Sequence, residues 1–311
     1  MISDLFSLNV LIGILTSGVR LATSYLYAAI GETFGQISGV LNLGVEGIML
    51  VAAYTAYIVV LQTDNLWLGL LAAIIVGLVM GLGMAFISVT LKAEQGISGI
   101  GVFLFGLGLS DLLYRVTVKS PQTVTGFQDI QIPILTDLPI VGPILFNQNI
   151  LVYLAFALVP IAWWVLNKTT FGLQVRAVGQ NPEAADTLGI SVAKIRYITV
   201  TLGGAFSGLA GASLSIALLN IFQQNITSGQ GFIAVALVYF GAWQPFRVML
   251  GCLLFSMVNA LQLWIQVLNI PIPSDIALMM PYVLTIIALM FAARVAFVQP
   301  AALTKPFERG E

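Results

Sequence analysis

Residues 172–212 read GLQVRAVGQNPEAADTLGISVAKIRYITVTLGGAFSGLAGA, and they join the most polar long run of the chain to a glycine-rich apolar run. Pro182 suits the first turn of a helix, because the N–H that proline lacks would have no partner there. Asn181 can cap this helix, and Gly189 can end it in a left-handed conformation. We therefore predict a short surface helix over about residues 182–188, held between two membrane-spanning helices.

The apolar run behind this helix has a packing motif. Gly204 and Gly208 form a GxxxG pair, which lets a second helix approach closely within a membrane. A short rigid helix at the foot of a tightly packed span would act as a lever for a soluble partner. The alternative is an ordinary solvated loop between two spans.

The composition places the whole chain in a membrane. Of its 311 residues, 59% are hydrophobic and 8% are charged, whereas soluble domains carry about 25% charged residues. Twelve basic and 13 acidic side chains are too few to cover a globule of this size with a polar surface. Apolar segments of about 20 residues match the thickness of a bilayer. The class is therefore a polytopic membrane protein.

Several kinds of chemistry are excluded by what the sequence lacks. It contains no histidine, and Cys252 is its one cysteine, which leaves no expected metal site, cofactor or intrachain disulfide. No P-loop motif is present, so any ATP that powers the protein must be hydrolysed by another chain. No basic patch with interleaved aromatic residues indicates nucleic acid. We expect no catalytic residue.

The hydropathy pattern predicts an all-α membrane protein of about 8–10 transmembrane helices. Short or discontinuous elements are expected near 31–47 and 229–242. The predicted spans lie near 8–30, 44–61, 66–91, 96–118, 150–167, 195–219, 248–268 and 279–298.

Lysine and arginine positions orient the spans, because they concentrate in cytoplasmic loops. One domain, 1–311, is expected to have its N-terminus outside and its C-terminus inside. It would contain a cytoplasmic coupling loop at 168–194, an external loop at 119–149 and a cytoplasmic tail at 299–311. The external loop is a candidate dock for a protein that delivers the substrate.

Polar residues at membrane depth are candidates for a substrate path. Asn42 and Glu46 lie four residues apart in a glycine-rich stretch that is expected to break its helix. Alternatively, Glu46 pairs with Arg20 or a backbone amide and only fixes the packing. Further amides, suited to sugar hydroxyls or nucleobase edges, follow at Asn220, Gln223, Gln224, Asn259 and Gln262.

Three blocks of the sequence resemble a known family. The pattern around the short helix is similar to the coupling loop of bacterial ABC-importer permeases, and it comprises Gly172, Ala177, Gly179, Asn181, Ala184, Ala185, Gly189 and Ile190. The blocks SGVLNLGVEGIML (38–50) and GQGFIAVALVYFGAWQPFRVMLGCLL (229–254) resemble the nucleoside and simple-sugar members of the branch that also contains branched-chain amino acid permeases. The resemblance covers nearly the whole chain.

The resemblance implies a multi-pass permease subunit of the bacterial inner membrane, surrounded by lipid. A separate ABC ATPase would contact the coupling residues, which are Asn181, Pro182, Glu183, Ala184, Ala185 and Gly189. Further partners would be a second permease chain, a sister or a copy, and an extracellular or periplasmic substrate-binding lipoprotein. The block SGVLNLGVEG favours a nucleoside as the small-molecule substrate. A ribose-like sugar or a branched-chain amino acid is the alternative.

A second functional class is an ion-coupled secondary transporter. Such a carrier uses carboxylates within the membrane, and Glu32, Glu46 and Asp111 are the ones the chain offers. An integral enzyme is disfavoured, because histidine is missing from the sequence.

Overall fold

The computed structural model describes residues 7–118, 122–133, 135–136, 138–268, 273–292 and 299–308. Parts of the predicted loop at 119–149, of the last predicted span and of the tail lie outside these residues. Within them the regular secondary structure is helical apart from one short two-stranded antiparallel sheet. The predicted all-α polytopic fold is thereby confirmed.

Twelve helices and two strands follow one another along the described residues. The first group is α1 (Leu8–Ile37), α2 (Val45–Thr63), α3 (Leu66–Ala85, continued by a π-helical turn at Phe86–Thr90) and α4 (Gln95–Thr117). Next come β1 (Asp129–Gln131), α5 (Val141–Leu145), β2 (Asn147–Asn149), α6 (Ile150–Lys168), α7 (Thr170–Gln180) and α8 (Pro182–Thr187). The last group is α9 (Val192–Ser213, continued by a π-helical turn at Leu214–Leu218), α10 (Gln230–Phe240), α11 (Pro245–Val267) and α12 (Ser274–Ala292).

Seven of these helices are long and apolar enough to cross a membrane: α1, α2, α3, α4, α6, α9 and α11. The short apolar element expected near 229–242 is α10, with 11 residues. The break expected within 31–47 is confined to residues 38–44, because α1 continues to Ile37. One element was missed, since the polar run before Asn181 forms the helix α7 and not a loop.

Facing glycines bring α3 and α9 into backbone contact. A Cβ added at Gly77 would lie 2.3 Å from the carbonyl oxygen of Gly204, and one at Gly204 would lie 2.6 Å from Cα of Gly81. Gly208 likewise meets the carbonyl oxygen of Ala73. The predicted GxxxG pair of α9 therefore packs against a second such pair on α3, and the two helices form one tightly joined unit.

The ends of the helices define two opposite faces of the bundle. The hairpin face contains β1 and β2, which pair Asp129 with Asn149. Arg20 of α1 binds Asp129 there, and its Nε donates to Oε1 of Gln148 at 2.9 Å. The coupling face contains α7, α8, the turn between α3 and α4, and the segment 299–308.

Residues 219–240 cross the bundle in an unusual way. They leave the end of α9 at the hairpin face, run as an irregular segment into the interior, and continue as α10 towards the coupling face. The link to the interior is the hydrogen bond from Ser24 Oγ to Oε1 of Gln230, at 2.7 Å, because Ser24 lies in the middle of α1. The half-length helix α10 thus begins inside the bundle.

Candidate functional site

The helix α8 is built by the residues that the sequence singled out. The Oδ1 atom of Asn181 accepts the backbone N–H of Ala184 at 3.0 Å, and Pro182 occupies the first turn. Gly189 ends the turn with φ of 81°, in the left-handed region, and no atom would lie within 4 Å of an added Cβ there. The predicted capped helix is therefore present.

The side chains of α8 divide into an anchored face and an exposed face. Ala185 is 2% exposed and packs into the core. Glu183, Ala184 and Gly189 are exposed. Leu188 is 81% exposed, a leucine on an otherwise polar surface that the sequence reasoning did not select. The exposed face offers a partner one apolar side chain among polar groups.

The loop that carries α8 is packed directly on the end of α1. A Cβ added at Gly179 would lie 1.7 Å from the carbonyl oxygen of Ile37, so only glycine fits at this contact. The side chains of Val175 and Val178, on the same helix α7, are fully buried. The segment that carries α8 is therefore tied closely to the end of α1, where the break before α2 begins.

Glu46 is fully buried, and its carboxylate holds the start of α10. Oε1 accepts the hydroxyl of Thr227 at 2.5 Å and the N–H of Gly229 at 2.7 Å, while Oε2 accepts the N–H of Gly231 at 2.5 Å. A negative charge at a helix N-terminus is favoured by the helix dipole. Two partners were considered for Glu46, Arg20 and a backbone amide. The structure pairs Glu46 with backbone N–H groups, whereas Arg20 binds Asp129 and Gln148 of the hairpin.

Asn42 lies in the same break and is 2% exposed. Its Oδ1 accepts the N–H of Gly44, and its own N–H donates to Oε1 of Glu32, both at 2.9 Å. Gln36 also donates to Oε1 of Glu32, at 3.3 Å. The Nδ2 atom of Asn42 is buried without a hydrogen-bond partner among the described residues.

A groove with both apolar and polar walls lies towards the hairpin face, between α4 and the irregular segment 219–229. It has a volume of about 580 Å³, and its walls are Leu104, Leu107, Gly108, Asp111, Gln224 and Asn225. Nε of Arg115 donates to Oδ1 of Asp111 at 3.1 Å. Gln224 is therefore the one predicted path residue that lines this groove.

The remaining predicted path residues lie elsewhere. Asn220 holds the loop near β1, since its carbonyl accepts the N–H of Val124 at 2.9 Å. Gln223 is exposed on the irregular segment. Asn259 is half-buried and Gln262 is 6% exposed, and both lie on α11, which packs mainly against α1 and α12. The structure does not bring all seven candidates to one place, and their role in transport stays a prediction.

These features define a class of protein: a bundle of membrane-spanning helices with a half-length helix that begins inside the bundle and a surface helix that is packed against the spans. Such a molecule is a membrane transport component. The chain belongs to the family described as branched-chain amino acid transport system / permease component, whose model matches residues 14–289. It is thus a multi-pass permease subunit of an ABC transporter in the cell's inner membrane.

Three relatives are similar over most of the chain. The provisionally named glucose ABC transporter permease protein TsgC13 of Haloferax volcanii is 42% identical, over 83% of this chain and 79% of its own. The guanosine ABC transporter permease protein NupQ of Bacillus subtilis is 37% identical, over 86% and 88%. The nucleoside ABC transporter permease protein NupC of Lactococcus lactis is 36% identical, over 86% and 88%. No solved structure matches.

Proposed function

We propose that this permease carries a nucleoside across the membrane, driven by a separate ATPase. The assignment of a nucleoside as the substrate rests on the similarity to the two relatives named for guanosine and for nucleosides. This similarity extends over 86% of the chain in both cases. A simple sugar is the second candidate, because the relative at 42% identity is named for glucose.

The coupling residues support an ATP-driven mechanism over ion coupling. In this proposal the coupling face is cytoplasmic, the hairpin face is external, and the ATPase grips α8 through Glu183, Ala184 and Leu188. Ala185 and Gly179 pass its movement to α1, and α9 passes it to α3 through their glycine contact. The carboxylate of Glu46, by contrast, already accepts three donors within the protein.

The groove beside α4 is the proposed entrance to the path. Asp111 and Arg115 are an ion pair on the outer surface of a helix whose apolar residues are widely exposed, such as Leu112 at 59%. Charged groups are costly against lipid, so this surface is better placed against water and a second permease chain. A groove with carboxylate and amide groups suits a neutral solute rich in hydroxyls.

The substrate is tested by uptake of labelled uridine and adenosine into cells with and without the gene. We expect deletion to abolish uptake and unlabelled nucleosides to compete, while excess glucose, ribose or leucine does not. Competition by glucose or ribose would replace the nucleoside with a sugar, and competition by leucine would replace it with an amino acid. Unchanged uptake after deletion would refute nucleoside transport.

One substitution in the groove and one at the end of α8 distinguish the substrate path from the contact with the ATPase. Gln224→Ala should raise the KM for uptake and leave the maximal rate of ATP hydrolysis unchanged, because it removes a contact of the groove. Gln266→Ala, an exposed amide on α11 outside the groove, is the matched control. Gly189→Val should abolish uptake without loss of membrane insertion, because a β-branched residue does not tolerate the left-handed conformation that ends α8. A normal KM in Gln224→Ala would exclude the groove from the path.

A further inference from the structure

The segment after the last helix folds back onto the coupling face. The N–H of Ala302 donates to the carbonyl of Gly179 at 2.9 Å, and the N–H of Thr304 donates to the carbonyl of Gly39 at 3.1 Å. Ala302 is 4% exposed. We call residues 299–308 the tail strap, because backbone hydrogen bonds tie it to the coupling loop and to the break after α1 at once.

Arg196 of α9 fixes the strap further. Arg196 is 1% exposed. Its Nη1 donates to the carbonyl of Lys305 at 3.0 Å, and its Nε donates to the carbonyl of Ser38 at 3.2 Å. A buried cation is costly unless its hydrogen bonds are made. Nη2 of Arg196 is already buried without a hydrogen-bond partner in the described part of the chain, so withdrawing the strap would remove the acceptor of Nη1 as well.

The far end of the strap reaches another turn of the coupling face. Nζ of Lys92, in the turn between α3 and α4, lies 2.7 Å from Oε1 of Glu308. The strap thus contacts the helices α7 and α9, the break after α1, and the turn between α3 and α4. The strap is therefore part of the fold and moves with these helices.

The strap and α8 enclose a groove on this face. It has a volume of about 650 Å³, and its walls are Gln180, Asn181, Pro182, Glu183, Ala301, Ala302, Lys305, Pro306, Phe307 and Glu308. Glu183 stands on one wall and Lys305 on the other, and both are exposed. Phe307 is half-buried and packs against the core, so the walls of the groove combine apolar side chains with groups of opposite charge.

We propose that the tail strap is the second wall of the docking groove for the ATPase subunit. This rests on the proposed function, in which the ATPase grips α8, and the groove continues that contact surface without interruption. The element it accepts would be a protein segment that inserts an apolar side chain between Pro182 and Phe307. A basic and an acidic group flanking that side chain would meet Glu183 and Lys305. The partner thereby holds the helix and the strap together.

The test uses the complete transporter, expressed with its ATPase and purified through a tag on this chain. Lys305→Glu, an exposed charge reversal, and Phe307→Asp should each lower the recovered ATPase at least tenfold at unchanged permease levels. Phe246→Asp is the matched control, because Phe246 is exposed at the start of α11 and outside the groove. Melting temperatures of the permease alone show that the variants are folded.

A fourth variant separates this inference from the proposed function. Glu183→Arg on α8 should also lose the ATPase. If Glu183→Arg loses it while Lys305→Glu keeps the normal amount, the strap is not a wall of the docking site and the coupling role of α8 stands. If Glu183→Arg and both strap variants keep the ATPase, the proposed function fails and this inference fails with it.

Discussion

Replacing Glu46 with glutamine tests how the half-helix α10 is held inside the bundle. The side chain keeps its size, but one of its two oxygen atoms becomes an NH₂ group. If the glutamine oxygen takes the place of Oε1, it retains the hydrogen bonds from Thr227 and Gly229. The NH₂ group then faces the N–H of Gly231, which Oε2 accepts at 2.5 Å in the native protein. Two donors would oppose each other in a buried site.

The size of the effect follows from that lost contact. A hydrogen bond to a charged group contributes roughly 1.5–3 kcal/mol, and a buried donor left without an acceptor costs a similar amount. The favourable charge at the N-terminus of α10 is lost as well. We expect the free energy of unfolding to fall by about 2–4 kcal/mol. At roughly 2 °C per kcal/mol for a chain of this size, the melting temperature would fall by roughly 4–8 °C.

Glu32→Gln is the matched control, because Glu32 is also buried in the membrane domain. Its hydrogen bonds from Asn42 and Gln36 both go to Oε1, and the glutamine oxygen can accept both. Thermal unfolding of the purified variants in detergent, followed by tryptophan fluorescence, compares the two. Equal melting temperatures for Glu46→Gln and the native protein, or an equal loss in Glu32→Gln, would refute the reasoning.

Two further predictions concern helix packing and helix capping. Gly204→Val should sharply reduce folded protein, because its Cβ would lie 2.4 Å from the carbonyl oxygen of Gly77, and a backbone atom cannot yield as a side chain does. Gly83→Val should be tolerated, because an added Cβ there meets no atom within 4 Å. Size-exclusion profiles compare the two purified variants, and equal profiles would contradict the packing argument. Asn181→Ala should cost about 1 kcal/mol of local stability by removing the cap of α8. Faster hydrogen exchange confined to residues 182–189 would reveal it, and unchanged exchange would speak against the cap.

The spans and α8 were predictable from sequence because their signals are local. An apolar run of about 20 residues determines a membrane helix, and the Asn181–Pro182 pair determines where α8 begins. The helix α7 was missed because its polar residues resemble a loop, while Val175 and Val178 reveal their burial only once α1 lies beside them.

The candidate path was harder to predict, because a polar side chain within the membrane has several uses. Asn42 and Glu46 share a face in sequence, yet both are turned towards backbone N–H groups that come from the break itself or from residues nearly two hundred positions later. Gln224 and Asp111 form one groove although more than a hundred residues separate them. The spacing of these residues in the sequence does not predict their contact, because it depends on how residues 219–229 fold back against α4.

The start of α10 has a consequence for the cell's own metabolites. Helix N-termini are common binding places for phosphate, since their free N–H groups point at the anion. Here that position is filled by the carboxylate of Glu46, which is fully buried and accepts the N–H groups of Gly229 and Gly231. A phosphate ester would have to displace this carboxylate before it could bind the N-terminus of α10, so one of the protein's own side chains occupies a place where a phosphorylated metabolite could otherwise be held.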